Sequence, residues 1–110
     1  MGKQTSVFQI LTNMAITDIE IQIAFRIKRC VKEFFDTHIK TEVEAKELMP
    51  LFIKKGIFIT NPQNGILIQD FLKHLEKLNY LNLIPQALFK KKNTNKNWFF
   101  IRPNNTLRLR

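Results

Sequence analysis

The chain of 110 residues has little of what staples, bends or activates a small protein. Its one cysteine, Cys30, cannot form an intrachain disulfide, so stability has to come from an apolar core. Its three glycines, Gly2, Gly56 and Gly65, are too scattered for a glycine-rich phosphate loop. The single serine, Ser6, and Cys30 have no base at a spacing that would activate a nucleophile. His38 and His74 stand apart from each other and from any cysteine, so no metal-ligand set is expected. Paired carboxylates such as Glu42 and Glu44 sit where a helix start explains acids. No run of about 18 apolar residues offers a membrane-spanning helix. Met1 to Thr5 are polar and Ser6 to Ile16 is interrupted by polar groups, unlike a secretion signal. These absences predict a cytoplasmic, non-enzymatic protein with no cofactor and no metal.

A further scarcity is of negative charge at one end. The net charge is +9, but residues 1–70 carry nine Lys or Arg against eight acids. Residues 71–110 carry nine more bases against a single acid, Glu76, a surplus of eight. An A+T-rich coding sequence raises lysine throughout, but it does not strip acids from one end. A one-sided field of this kind attracts polyanions and speeds their encounter. Nucleic acid is therefore the expected partner. An acidic membrane surface fits less well, because the basic part has no Lys-rich amphipathic helix with a strong apolar face.

What is present is enough for one domain over residues 1–110. Apolar residues make up 45% of the chain, with ten Phe and fourteen Ile. Residues 6–16 (within an N-terminal extension, 1–16) read as a short helix. Residues 17–36 alternate in part like a strand, but Ile23, Ile27, Cys30, Val31 and Phe34 recur at helical spacing, and Thr17 with Glu20 has capping-box spacing. Helix is the better reading. Ile19, Ile21 and Phe25 then fall off the main stripe and predict burial on more than one side, with a homodimer through residues 6–35. Residues 37–43 are short and suit an extended piece.

A second helix is expected over about Glu44–Lys55, capped by Thr41 and kinked or split at Pro50. It ends at Lys54-Lys55-Gly56, with cations at the negative dipole end and then a glycine. Asn61 to Gly65 is a turn. A third helix is expected over Ile66–Tyr80, with Ile68, Phe71, Leu72, Leu75 and Leu78 toward the core. Ala87–Lys92 and Asn97–Arg102 read as strands joined by the turn Asn93-Thr94-Asn95-Lys96. Trp98, Phe99 and Phe100 favour a strand packed on the core, with base stacking as the alternative. Asn104 to Arg110 is a basic tail.

The expected fold is mainly α with a small β-hairpin. Its order of helix, short extended piece, helix, turn, helix and basic hairpin over residues 17–103 resembles the winged-helix superfamily. The resemblance rests on element order and charge placement. It implies a three-helix core with a C-terminal two-stranded wing, the third helix entering the DNA major groove and the wing, Ala87–Arg102, touching the backbone. Transcription regulation is the role it implies.

The residues support that placement. Gln69, Lys73 and Lys77 fall at i, i+4 and i+8, one row opposite the core stripe, where Gln and Lys can reach base edges or phosphate. The plainer account is the solvated face of an amphipathic helix. Lys90, Lys91, Lys92, Lys96 and Arg102 would contact phosphates and release counterions, or, more simply, protect an exposed sheet edge. Duplex DNA is the expected partner ahead of RNA. The alternative is a protein-interaction or assembly module with a basic docking surface.

Overall fold

Thr17 and Glu20 fix the start of the first element. The Thr17 hydroxyl oxygen accepts from the Glu20 backbone N–H at 3.1 Å, and a Glu20 carboxylate oxygen accepts from the Thr17 N–H at 3.0 Å. This reciprocal pair is a capping box, and from it α1 (Asp18–Thr37) runs for 20 residues. The structure, a computed structural model, describes residues 15–92 and 95–102. Most of the expected helix over 6–16, and the basic tail 104–110, lie outside the described residues.

In α1 the helical spacing prevails over the alternation. Ala24, Ile27, Cys30, Val31 and Phe35 are buried on one face. Burial pushes the Cys30 thiol pKa up, so it behaves as a small hydrophobe. Among the described residues, two of the three surplus apolar side chains stay exposed. Ile19 is 70% exposed and Phe25 45% exposed, while Ile21 is half-buried.

The segment after α1 corrects the expected second helix. Glu42–Glu44 is a strand, β1, and Ala45–Leu48 is a single 3-10 turn. The α-helix proper, α2, is Met49–Lys54. The Thr41–Glu44 cap does not form, because Thr41 lies outside the helix and its carbonyl accepts the Arg102 N–H instead. The expected helix is split just before Pro50, which sits in the first turn of α2, where its missing N–H has no helical partner to lose. The C-terminal reading holds. Gly56, at φ 77°, donates to the Ile53 carbonyl, and Ile57 donates to the Phe52 carbonyl at 2.8 Å. That is a Schellman ending.

Gly65 opens α3 (Ile66–Lys77) in a left-handed conformation, φ 100°. A Cβ there would lie 2.4 Å from the Lys46 Cβ, so only glycine fits. The Asn61 side-chain oxygen accepts the Gly65 N–H at 2.6 Å. α3 stops before the expected Tyr80. Asn79 adopts φ 66°, and the Asn79 and Tyr80 N–H groups bond to the Glu76 and Leu75 carbonyls. Asparagine takes glycine's part in this second Schellman ending.

After a 3-10 turn at Leu81–Leu83 come β2 (Ala87–Lys92) and β3 (Asn95–Ile101). Pairing extends to Lys92 opposite Asn95. Asn95 and Lys96 therefore belong to β3 and not to the turn, since each further ladder bond satisfies backbone groups that a wider loop would leave to water. The sheet is also not two-stranded. β1 pairs antiparallel with β3, Val43 opposite Phe100, giving the order β1-β3-β2. The described chain is thus three helices and a small three-stranded antiparallel sheet around one core. Phe35, Phe52, Ile68, Leu72, Leu75, Ile84 and Phe100 are fully or nearly fully buried in it.

Candidate nucleic-acid interface

The core stripe of α3 decides which of its side chains reach water. Ile68, Leu72 and Leu75 are buried. At 100° per residue the opposite side carries Asp70, Lys73 and Lys77, and all three are exposed. Gln69 belongs to the flank of the helix and is half-buried. The expected row of Gln69, Lys73 and Lys77 therefore keeps its two lysines, and an acid, Asp70, stands beside them.

The two flanks of α3 are tied to other elements. On one, His74 Nε2 stands 2.7 Å from a Glu20 carboxylate oxygen at the start of α1. The backbone N–H of Thr17 holds the Glu20 carboxyl below its ordinary pKa, burial opposes this, and His74 adds to the lowering. On the other, Glu76 accepts from Lys96 Nζ at 2.9 Å, both side chains about one-third exposed at 32% and 31%. Residues three and four apart share a helix face, so the turn end of the hairpin, where Lys96 pairs with Lys91, reaches α3 beside Lys73.

Strand alternation sorts the hairpin lysines into two sets. Directly paired residues share a face of the sheet. Val43, Phe100 and Ala87 define the inner face, and Trp98 with Phe89 and Lys96 with Lys91 continue it. Trp98 is 2% exposed and its ring centroid lies 5.1 Å from that of Phe89. Lys96 Nζ lies 4.3 Å from the centre of the Phe89 ring. Lys91, across from Lys96, is exposed. Lys90 points to the outer face, where it pairs with Glu42 of β1 at 3.1 Å and covers the Phe99 ring at 4.5 Å. The Lys92 side chain lies outside the described part of the structure.

These contacts bear on two expected features of the hairpin. The hairpin is acid-free in sequence but not in space, because β1 brings Glu42 to Lys90 and α3 brings Glu76 to Lys96. Arg102 is committed elsewhere. Its guanidinium donates to the Phe35 carbonyl at 2.8 Å, to the Lys40 carbonyl at 3.1 Å, and to that of His38. It supplies the cation that the last turn of α1 lacks. Among the described residues, the predicted cations left exposed with no carboxylate in ion-pair reach are Lys73, Lys77 and Lys91.

The aromatic strand packs as core rather than as a stacking platform. Trp98 and Phe100 are buried, and Phe99 lies half-buried under Lys90. Gln86, which the sequence reading did not single out, is 4% exposed and donates to the Lys28 carbonyl at 3.4 Å. His38 stacks on Phe34 at 4.0 Å. Among the described residues, no three His, Cys, Asp or Glu side chains group as a metal site. No described helix is long and apolar enough to cross a membrane.

No protein-family model matches the chain, and no curated protein or solved structure is significantly similar to it.

Proposed function

We propose that the chain is a non-enzymatic, winged-helix protein that binds duplex DNA, with α3 in the major groove and the hairpin on the adjacent backbone. The observation that carries this reading is the Lys96–Glu76 contact at 2.9 Å. It joins the hairpin to the flank of α3, so that Lys73, Lys77 and Lys91 are exposed around one joint. The element order gives support, since the end of the expected extended piece, at Glu42 and Val43, lies in a strand paired into the hairpin sheet.

The roles divide by chemistry. Lys73, Lys77 and Lys91 contact phosphates as compact cations. Asp70 faces outward at the start of α3 and suits a base edge that donates, such as the cytosine amino group. Gln69, half-buried, reaches a base only from the flank. Lys90 and Lys96 hold the hairpin in place first and add to the field second.

The test is binding to duplex DNA, single-stranded DNA and RNA over a salt series. Three phosphate contacts predict a log–log slope of about −2.7 on duplex DNA. Absence of duplex binding near physiological salt overturns the reading. It would favour the assembly module, for which the exposed Ile19 and Phe25 of α1 are the supporting observation.

A further inference from the structure

A groove runs along α1 on a side that involves neither α3 nor the hairpin. It consists of two adjoining cavities of about 250 Å³ each. One is bounded by Arg26, Arg29, Cys30 and Ile57. The other is bounded by Phe34, Thr37, His38, Leu51 and Lys54. Both share Glu33 and Lys55, whose ion pair at 3.4 Å lies between them. The α1 members recur at three- and four-residue spacing and so form one stripe. The facing wall is α2 and the turn that follows it. Each is an open depression a little smaller than a usual small-molecule pocket, roughly 300–1,000 Å³, so a ligand would lie along both.

The two halves differ in chemistry. In the first, Arg26 Nη2 donates to the Lys55 carbonyl oxygen at 2.8 Å, which fixes the guanidinium at the wall. A guanidinium has five N–H donors, so donors remain for a ligand. Arg29 has no carboxylate within ion-pair reach among the described residues. Glu33 is the one carboxylate lining the groove, and Lys55 neutralises it. The second half offers the half-buried side chains of Phe34 and Leu51.

We propose that this groove binds a small amphiphilic anion, its carboxylate or phosphate paired with Arg26 and Arg29 and its short apolar body lying on Phe34 and Leu51. Charge alone recruits any anion. The apolar half selects one with a hydrocarbon tail or ring, since burying that surface adds affinity in proportion to its area.

The experiment is an NMR titration of the full, nitrogen-15-labelled chain, without DNA. The probes are octanoate, phenylacetate and inorganic phosphate, each taken to about 10 mM, where a site with a Kd of about 1 mM is filled. Saturable shifts are expected at the amides of residues 26–37 and 51–57 with octanoate and phenylacetate. Phosphate should bind more weakly, because it leaves the apolar half empty. Arg29→Gln, an exposed position that need not disturb folding, should weaken octanoate binding about fivefold or more. Lack of saturable shifts with either organic anion overturns the proposal, as does equal binding of phosphate or unchanged affinity in Arg29→Gln. The titration uses neither α3 nor the hairpin, so its outcome is separate from that of the DNA-binding test.

Discussion

Lys96 and Glu76 meet at 2.9 Å where the hairpin leans on α3, and each side chain is about one-third exposed, at 31% and 32%. The pair joins two elements that also share one apolar core. A double-mutant cycle of Lys96→Gln and Glu76→Gln, read by urea unfolding, should give a coupling of about 0.5–1 kcal/mol, the upper part of the range for partly exposed pairs. A coupling indistinguishable from zero would show that the joint is held by apolar contacts alone.

The hairpin and helix lysines should separate into two classes. Lys73→Gln, Lys77→Gln and Lys91→Gln should each flatten the salt slope on duplex DNA by about 0.9. Lys90→Gln should change it less, because Lys90 is paired with Glu42 at 3.1 Å. Equal effects from all four would mean that only total charge matters and that the pairing seen here is not maintained on DNA.

Gly65 is expected to be intolerant of any side chain. Its φ of 100° already disfavours an L-residue, and an added Cβ would meet the Lys46 Cβ at 2.4 Å. Gly65→Ala should cost about 2–4 kcal/mol, combining roughly 1 kcal/mol of backbone strain with overpacking of about 1–3 kcal/mol. Chemical denaturation measures this directly. A loss below 0.5 kcal/mol (about the size of an ordinary surface change) would rule out the close approach.

Glu20 sets a pH dependence whose sign is fixed by its lowered pKa. A carboxylate stabilised in the folded state contributes fully above its unfolded pKa, and the contribution is lost as pH falls through the folded value. The stabilisation of the parent over Glu20→Gln should therefore be largest near neutral pH. It should shrink as the pH falls from the ordinary carboxylate value of 4.5 into more acid solution. A stability difference that stays flat across that window would remove Glu20 from the account.

Arg102 is predicted to act on stability and not on DNA. Its bonds to three carbonyls, in the last turn of α1 and in the segment just after it, are charge-assisted, each worth about 1.5 kcal/mol when well shielded and less where water reaches them. Arg102→Ala should cost about 1–3 kcal/mol, and Arg102→Lys should recover only part, because an ammonium lacks the planar fork. The salt slope on duplex DNA should not move with either change.

What was legible in the sequence was local. The Thr17–Glu20 box, the Lys54-Lys55-Gly56 ending and the α3 core stripe are signals written over three to twelve residues, and the structure follows them. What was not legible was long-range. Glu42 and Lys90 lie 48 positions apart, and Arg102 and Phe35 lie 67 apart. No periodicity announces such pairs. The same limit explains the pairing of β1, since an extended piece is expected near it but its partners, Phe99, Phe100 and Ile101, lie far along the chain. Asn79 is a local stop signal, because asparagine can take the left-handed position usually given to glycine. Spacing alone gives the exposed face of α3, and Gln69 is half-buried because each four-residue step drifts about 40°, carrying the row from the flank at Gln69 to the outer side at Lys77.

The pairing of β1 with β3 has a consequence for the order in which the chain can fold. Val43 finds its partner in Phe100, and the carbonyls at the end of α1 find theirs in Arg102. On the ribosome, both partners emerge only after nearly all of the domain has been made. Until then the first half exposes an unsatisfied helix end and an unpaired strand, so it has little stability to gain by closing early. Non-local contacts of this kind slow folding, because the chain loses loop entropy before they form. Folding is therefore expected to be a single late event, and the nascent first half is the species most exposed to misassociation.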